Sequence, residues 1–155
     1  MKIIALDPGT RRTGYAVFEP KGQMPQLVEG GVIFVKGEDL PERLLSIHRG
    51  IERLFRRHRP RQVAIERPFV GINGASALSL AAARGVCMLA AAVSKAQVFD
   101  YSPSEIKKAV STSGLTGKVG VQRSVQLLLR LRDLPQSDMA DAMALAICHL
   151  NRTHR

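Results

Sequence analysis

The chain has 155 residues, which is long enough for one domain with its own hydrophobic core. Hydrophobic residues make up 45% and charged residues 23%, a balance that excludes a disordered chain, and we find no apolar run that we expect to span a membrane. Lysine and arginine number 23 against 13 acids, so the net charge of +10 predicts a polyanionic partner, with nucleic acid first. The alternative is that the charge only keeps the protein soluble.

Three short segments that we interpret as β-strands open the chain, the first of them a continuous apolar run that indicates a buried strand. They span residues 2–7, 14–19 and 27–35. Lys21-Gly22 and Pro25 mark a turn between the second and third segments. Connections this short predict an antiparallel meander.

Helical and strand periods alternate in the rest of the chain. We predict helices at 39–57, 75–93, 102–110, 119–131 and 138–150, strands at 62–66 and 97–100, and a loop at 111–118. Asp39 and Pro41 give the first helix its start and Pro60 its end, and Ser102 or Ser104 caps the third. This order indicates a single α/β domain, residues 1–155, with a mixed five-stranded sheet whose first three strands are antiparallel and which helices flank.

Four carboxylates stand out because they border apolar segments: Asp7, Glu66, Asp138 and Asp141. Asp7 and Glu66 end strands, and if those strands are parallel neighbours both emerge at the sheet edge where α/β proteins place ligands. Asp138 and Asp141 are three residues apart in the first turn of a helix, so they share a face. Four converging carboxylates would repel one another, and a hard divalent cation such as Mg²⁺ would remove that repulsion.

Each of these acids also has a structural alternative. Asp138 and Asp141 could cap their helix, where the dipole stabilises negative charge. Asp7 precedes Pro-Gly-Thr and could be a turn residue, and Glu66 could pair with an arginine. The combination of the four is a stronger signal than any one of them.

Several stretches carry a resemblance to a known family. They are ALDPGTRRTGYAV (5–17), AIERPF (64–69), SALSLAAARG (76–85), EIKKAV (105–110), TGK (116–118) and SDMADAMALAICH (137–149). In these motifs, their order and their spacing, the chain resembles the RuvC-type Holliday junction resolvases of the RNase H-like superfamily. The resemblance covers nearly the whole chain.

The resemblance implies a structure-selective endonuclease that resolves four-way DNA junctions by paired symmetric cuts in recombination and DNA repair. Asp7, Glu66, Asp138 and Asp141 match the family's catalytic acids and would hold two Mg²⁺ ions, with Mn²⁺ possible. Water activated by one ion would hydrolyse the phosphodiester, leaving 5′-phosphate and 3′-hydroxyl ends. The family's five-stranded RNase H-like sheet agrees with the one expected from the pattern.

The resemblance also implies DNA contacts at Phe69, Asn73, Lys107, Lys108 and Lys118. Phe69 would stack on an unpaired base at the branch point, although by sequence alone it reads as a core residue. The lysines would contact phosphates, with Lys118 also stabilising charge at the scissile phosphate; a solvated basic face is the alternative.

A few positions depart from the family pattern or lie outside its functional set. Ile72 stands where members often carry a basic residue and Ala82 near a usual glutamine, which puts two DNA contacts in doubt.

His149 matches a family histidine that we take as structural. The basic run RRHRPR (56–61) is assigned to solubility. Cys87 and Cys148 read as buried thiols in a reducing cytoplasm.

The segment 75–93 is apolar nearly all round and rich in small residues, so a second subunit is expected to cover one of its faces. The family is homodimeric, and two sites related by a two-fold axis suit paired cuts. A branch-migration helicase complex is a further partner that the resemblance implies. The alternative for this helix is burial wholly within one domain.

Three other functions remain open at this point. The first is another RNase H-like nuclease, of YqgF type. The second is an actin-like or sugar-kinase ATPase, which 155 residues are too few to form. The third is a non-catalytic junction-binding protein, against which the four retained acids argue.

Overall fold

The computed structural model describes residues 1–21, 24–67, 74–111 and 117–153, and within them five strands and five helices. The elements in chain order are β1 (Ile3–Asp7), β2 (Arg12–Lys21), β3 (Met24–Phe34), α1 (Leu40–His58), β4 (Gln62–Glu66), α2 (Gly74–Val93), β5 (Gln97–Tyr101), α3 (Pro103–Val110), α4 (Gly117–Leu128) and α5 (Ser137–Thr153).

The five strands form one mixed sheet in the order β3-β2-β1-β4-β5. The pairs β1–β2 and β2–β3 are antiparallel, which confirms the expected meander. The pairs β1–β4 and β4–β5 are parallel. The carboxyl ends of β1, β4 and β5 therefore meet at one edge of the sheet.

Helices cover both faces of the sheet because the side chains of β1 alternate between two cores. Ile3 and Ala5 pack with α3, α4 and α5 on one face. Ile4 and Leu6 pack with α1 and α2 on the other. The last helix, α5, is buried along almost its whole length after its first turn.

Pro25 is the clearest error in the predicted strands. It was expected in a turn but lies inside β3, opposite Pro20 of β2. The strand β3 is at the edge of the sheet, where a residue without an N–H group is tolerated. Gly22, the other turn residue, lies outside the described part of the chain.

The helix starts follow their capping residues. Asp39 caps α1 by accepting a hydrogen bond of 2.9 Å from the Glu42 N–H. Ser102 caps α3 in a capping box with Glu105. The helix α1 ends at His58, before Pro60, because Arg59 takes a left-handed conformation.

The helix α4 starts two residues before its predicted start and ends earlier, at Leu128. Lys118, expected in a loop, therefore lies in its first turn. The preceding glycine, Gly117, has a φ of 71°, a backbone conformation that glycine adopts without strain. The cluster of Gly, Ser and Thr before it made the whole segment look like a loop.

The helix α2 is less buried than its composition suggested. Its buried residues are Ala83, Cys87, Ala90 and Ala91. On the other side Leu78, Leu89 and Val93 are 74%, 57% and 73% exposed. Burial wholly within one domain is therefore wrong for this helix.

The expectation that no segment has the length and composition of a membrane span is also wrong, since α2 meets both criteria. It does so alone among the helices in the described ranges. The interior helix of a globular protein meets the same criteria, and α2 packs against α1 and the sheet.

Candidate active site

Two carboxylates lie at the ends of neighbouring parallel strands. Asp7 is the last residue of β1 and Glu66 the last residue of β4. The register pairs Leu6 with Ile65, so the next residue of each strand emerges at the same edge of the sheet. The hydrogen-bonding ladder of the main chain thus sets the two acids side by side.

The other two carboxylates come from the start of α5, which packs against β1 and β2. Asp138 lies in the first helical turn and Asp141 one turn further along. The main chain of Asp138 approaches Gly14 of β2 so closely that a Cβ atom there would overlap it. Gly14 is paired with Asp7 across the sheet, so this approach brings the helix start to the same edge.

The electrostatics of Asp7 show that the four acids form one group. Burial first, and then the negative charges on Glu66, Asp141 and Asp138, together raise the pKa of Asp7 to about 8. The pKa of Glu66 is raised mainly by burial and, to a smaller extent, by the charge on Asp141. The pKa of Asp141 is raised mainly by burial and, to a smaller extent, by the charge on Asp138. All these shifts reflect negative charge held together away from water.

Two lysines partly offset this charge. Lys107 of α3 lowers the pKa of Glu66 against the effects of burial and Asp141. Lys118 of α4 lowers that of Asp141. Both lysines line a cavity of about 540 Å³ between α3, α4 and α5, and Glu66 and Asp141 lie on its wall. Carboxylates and ammonium groups therefore share one cavity at the sheet edge.

The remaining predicted DNA contacts are placed less directly. Lys108 is exposed in the last turn of α3 and is not part of the cavity wall. Phe69 and Asn73, together with Ile72, lie outside the described residues.

The structural alternatives for Asp7 and Glu66 find no support. Thr13 closes the turn after Asp7 by donating a hydrogen bond of 3.2 Å to the Gly9 carbonyl. Arg67, the arginine next to Glu66, pairs instead with Glu105 at 3.2 Å. Within the described ranges, neither Asp7 nor Glu66 has a hydrogen bond or ion pair of its own.

The alternative of helix capping is equally unsupported for the two acids of α5. Neither Asp138 nor Asp141 accepts a main-chain hydrogen bond from the part of the chain that the structure describes. Asp138 instead faces Arg12, with 3.6 Å between Oδ2 and Nη1. The start of α5 thus directs Asp138 toward another charged group at the sheet edge.

Sequence reasoning missed Arg12. Its guanidinium lies between the Asp138 carboxylate and the ring of Phe34, whose centroid is 6.0 Å away. Phe34 is opposite Arg12 in the β2–β3 register and is exposed. The signal in the sequence is the adjacent pair of arginines in DPGTRRTG, which places a cation a few residues after Asp7.

His149 occupies a structural position, as was expected from its distance to the acids. Its ring is fully buried, with Nδ1 2.8 Å from the Tyr101 hydroxyl and Nε2 3.1 Å from Oε1 of Gln62. It therefore ties α5 to β4 and β5 rather than facing the cavity. Cys87 and Cys148 are buried free thiols, as predicted.

The donor set fits a hard divalent cation. All four groups are carboxylates, their mutual repulsion raises the pKa values of at least Asp7, Glu66 and Asp141, and a divalent charge would cancel it. In residues 1–21, 24–67, 74–111 and 117–153, no three His, Cys, Asp or Glu side chains are gathered as ligands of one ion. The acids are therefore coupled through charge, but their side chains do not converge on a common point.

The sheet order, its flanking helices and the acids at its edge define an α/β protein of the RNase H-like class. A family model described as "Crossover junction endodeoxyribonuclease RuvC" matches residues 3–149. The chain belongs to this family. The resemblance found in the motifs is thereby confirmed, and the YqgF-type and ATPase alternatives are set aside.

Individual relatives agree with this assignment. A crossover junction endodeoxyribonuclease RuvC of Shewanella sp. (strain MR-4) is 44% identical over 147 residues, which cover 95% of this chain and 85% of the relative. The protein of the same name from Hahella chejuensis is 43% identical over 151 residues, or 97% and 88% of the two chains. The structure described as T. thermophilus RuvC in complex with Holliday junction substrate has a TM-score of 0.87 and 28% identity, and covers 99% of this chain and 96% of that one.

Proposed function

We propose that this protein is a structure-selective endonuclease that resolves four-way DNA junctions by paired, metal-dependent hydrolysis of phosphodiester bonds, in recombination and DNA repair. The observation that carries the proposal is the coupled group of Asp7, Glu66, Asp138 and Asp141 at the carboxyl ends of parallel strands. The family assignment and the Holliday junction in the complex of the Thermus relative support the same substrate. The whole chain would act as one nuclease domain.

The four acids would hold the metal. Two Mg²⁺ ions, or Mn²⁺ in their place, would supply water activation and neutralisation of the charge that builds up on the phosphate and the leaving oxygen. The protein's own part is to hold four carboxylates on β1, β4 and α5, elements that the sheet and core fix. The products would carry 5′-phosphate and 3′-hydroxyl ends.

The lysines would hold the DNA strand beside the acids. Lys107 and Lys118 line the cavity that also contains Glu66 and Asp141, so a phosphate there would meet both signs of charge. Lys118 is the lysine whose charge lowers the pKa of Asp141, and it would stabilise charge at the scissile phosphate. Lys108, exposed on the same helix as Lys107, would contact a neighbouring phosphate.

Phe69 and Asn73 complete the proposed DNA contacts. They follow Glu66 along the chain and would reach the bases at the branch point, with Phe69 stacking on one that is unpaired. This part of the proposal rests on the family resemblance alone.

We propose a homodimer in which α2 forms the interface. Its exposed side carries an apolar stripe at helical spacing: Leu78, Ala81, Gly85, Leu89 and Ala92. The small residues in the middle of the stripe allow a second helix to approach closely, and nothing fills the space beside Gly85. A two-fold pair of this chain would bury the stripe and present two active sites, as cutting two strands requires.

Two further parts of the proposal rest on the resemblance. A branch-migration helicase complex would bring the nuclease to its junction. The cytoplasm is the proposed location, in accord with a DNA substrate and two thiols that form no disulfide.

The test is cleavage of a synthetic mobile four-way junction in Mg²⁺, Mn²⁺ or Ca²⁺, with Asp7→Asn beside the unaltered protein. We expect paired symmetric nicks with Mg²⁺ or Mn²⁺, and junction binding without nicks in the variant. Tight binding with no cleavage in any metal would favour the non-catalytic junction-binding protein. Nicks that persist in Asp7→Asn would remove Asp7 from the proposed metal site.

A further inference from the structure

A second cavity, of about 530 Å³, lies at the end of the sheet opposite the four acids. Its walls come from the last turn of α1, the segment before β4 and the segment before β5: Glu52, Phe55, Arg56, Arg59, Pro60, Arg61, Val93, Ser94 and Lys95. Arg61 precedes β4 and Glu66 ends it, so about 16 Å of extended chain separates them. We call this cavity the basic pocket.

The charge of the basic pocket is strongly positive. Arg56, Arg59, Arg61 and Lys95 are all exposed on its rim, against the single carboxylate of Glu52. None of the four cations has an ion-pair partner in the described part of the chain. The pocket therefore offers four cationic groups that no carboxylate in the described residues pairs with.

The neighbouring residues of the same basic run are used differently. Arg57 pairs with Glu29 at 3.3 Å, and Nε2 of the buried His58 lies 2.8 Å from the same carboxylate. These two residues serve the packing of α1 on β3. The run 56–61, which the sequence assigns to solubility as a whole, thus divides into two residues that contact Glu29 and a set that faces the pocket.

The main chain of the pocket is held rigidly. The Arg61 N–H donates to the Lys2 carbonyl at 3.0 Å, and the Gln97 N–H donates to the Arg61 carbonyl at 2.9 Å. The Arg59 N–H closes the last turn of α1 on the Phe55 carbonyl at 2.8 Å. Because the supporting segments are fixed before a ligand arrives, binding there loses less conformational entropy.

Two explanations compete for this charge. Cations near the last turn of a helix offset the negative end of its dipole, and Arg56 alone would fit that role. Arg61 lies beyond the helix, at the start of a strand, and Lys95 follows a different helix, yet both face the same concavity. Guanidinium groups around a concave site are the usual means of binding phosphate.

We propose that the basic pocket binds phosphate groups of a DNA duplex separate from the strand at the active site. The two ends of the sheet point in opposite directions, so one protomer would hold two DNA segments at once. This contact goes beyond the proposed cleavage function and does not require it. A protein with such a pocket would grip a neighbouring duplex without cutting it.

The experiment uses the full chain with Asp7→Asn, so that no DNA is cut. Unlabelled four-way junction is added first, only up to the equivalence point so that no free junction competes with the probe, and the binding of a labelled unbranched duplex is then followed by fluorescence anisotropy over a range of salt concentrations. The pocket variant carries Arg56→Gln and Arg61→Gln. The control carries Arg49→Gln and Arg53→Gln, which remove the same amount of charge from exposed positions of α1 outside the pocket.

We expect the junction-loaded protein to bind the duplex, and the pocket variant to bind it about tenfold more weakly, with a salt slope reduced by about 2, or one for each lost phosphate contact. The control variant loses the same charge from outside the pocket, so its affinity for the duplex should fall by less than about twofold. Equal weakening in both variants, or no duplex binding by the loaded protein, would overturn the proposal. Failure to bind the junction would instead count against the proposed function. In that case, duplex binding by the protein without junction would still be weaker in the pocket variant than in the control if the pocket binds DNA.

Discussion

The main-chain carbonyl of Asp138 fills the space that a side chain on Gly14 would need. A Cβ atom at Gly14 would lie 2.7 Å from the Asp138 carbonyl carbon and closer still to its oxygen. Because both atoms belong to the main chain, neither can rotate away. Gly14 is also the partner of Asp7 in the β1–β2 register. A glycine is therefore what allows α5 to bring its acids to Asp7.

Gly14→Ala should push the start of α5 away from the sheet. We expect the free energy of unfolding to fall by about 1–3 kcal/mol, as for an overpacked core, and junction cleavage to be lost. Denaturant unfolding and the cleavage assay measure the two effects. Gly74→Ala is the control, because nothing lies within 4 Å of a Cβ atom added there. Full stability and activity in Gly14→Ala would contradict the close approach.

Asp7→Asn should stabilise the metal-free protein at neutral and higher pH. The pKa of Asp7 is about 8 in the folded protein and 3.8 ordinarily, so the folded state holds its proton more tightly over that range. Stability due to this group is fully present below its ordinary pKa and falls as the pH rises toward about 8. Asparagine does not ionise, so the variant should lose less stability over this interval.

Calorimetry with a chelator at pH 5 and pH 8 measures this difference. The melting temperature of the variant should exceed that of the unaltered protein at pH 8, by about 2–4 °C for each kcal/mol of relieved repulsion in a domain of this size. Adding Mg²⁺ should raise the melting temperature of the unaltered protein more than that of Asp7→Asn. A lower melting temperature in the metal-free variant would make Asp7 a structural residue instead.

Arg12→Ala should strengthen metal binding. Arg12 is the cation that faces Asp138, so a divalent ion has to compete with it for that carboxylate. The pair is partly exposed and worth less than about 1 kcal/mol, so we expect two- to fivefold tighter Mn²⁺ binding. Titration followed by electron paramagnetic resonance measures it without any cleavage. Arg11→Ala, an exposed neighbour without an ion pair in the described ranges, should leave the Mn²⁺ affinity nearly unchanged; identical effects would rule out competition.

Leu89→Arg should convert the proposed dimer into a monomer. Leu89 lies in the middle of the exposed apolar stripe on α2, and a buried charge there would lack a partner. Analytical ultracentrifugation gives the oligomeric state, and a junction on which single and paired nicks are distinguishable gives the functional result. Leu127→Arg changes an exposed leucine of α4 in the same way and should preserve the dimer. A monomeric unaltered protein would refute the α2 interface.

The acids at the sheet edge were predictable because each strand is a plain apolar run that stops on a carboxylate. Residues 2–7 and 62–66 show this most simply, and a parallel pairing of the two was enough to bring Asp7 and Glu66 together. That prediction needs only the apolar run before each acid and the geometry of a parallel strand pair. The capping of α1 by Asp39 was predictable for the same reason, since it depends on neighbours along the chain.

Contacts between distant segments were not predictable in this way. Nothing in the sequence around Gly14 indicates that the α5 main chain lies against it. The ion pair between Arg12 and Asp138 likewise joins residues that share no motif. The exposure of Leu89 depends on how much of α2 the sheet covers, which composition alone does not specify.

The four acids are spread along the polypeptide, with Glu66 between Asp7 and the pair Asp138 and Asp141. Asp7 is made with the first strand, whereas Asp138 and Asp141 follow only with α5, the last helix. During synthesis, a ribosome therefore completes strands β1 to β5 and helices α1 to α4 before the acidic group has all its members. A growing chain can fold much of its core while it has no means of cutting DNA nearby. Nuclease activity should emerge only when translation has passed residue 141 and α5 has docked on β1 and β2.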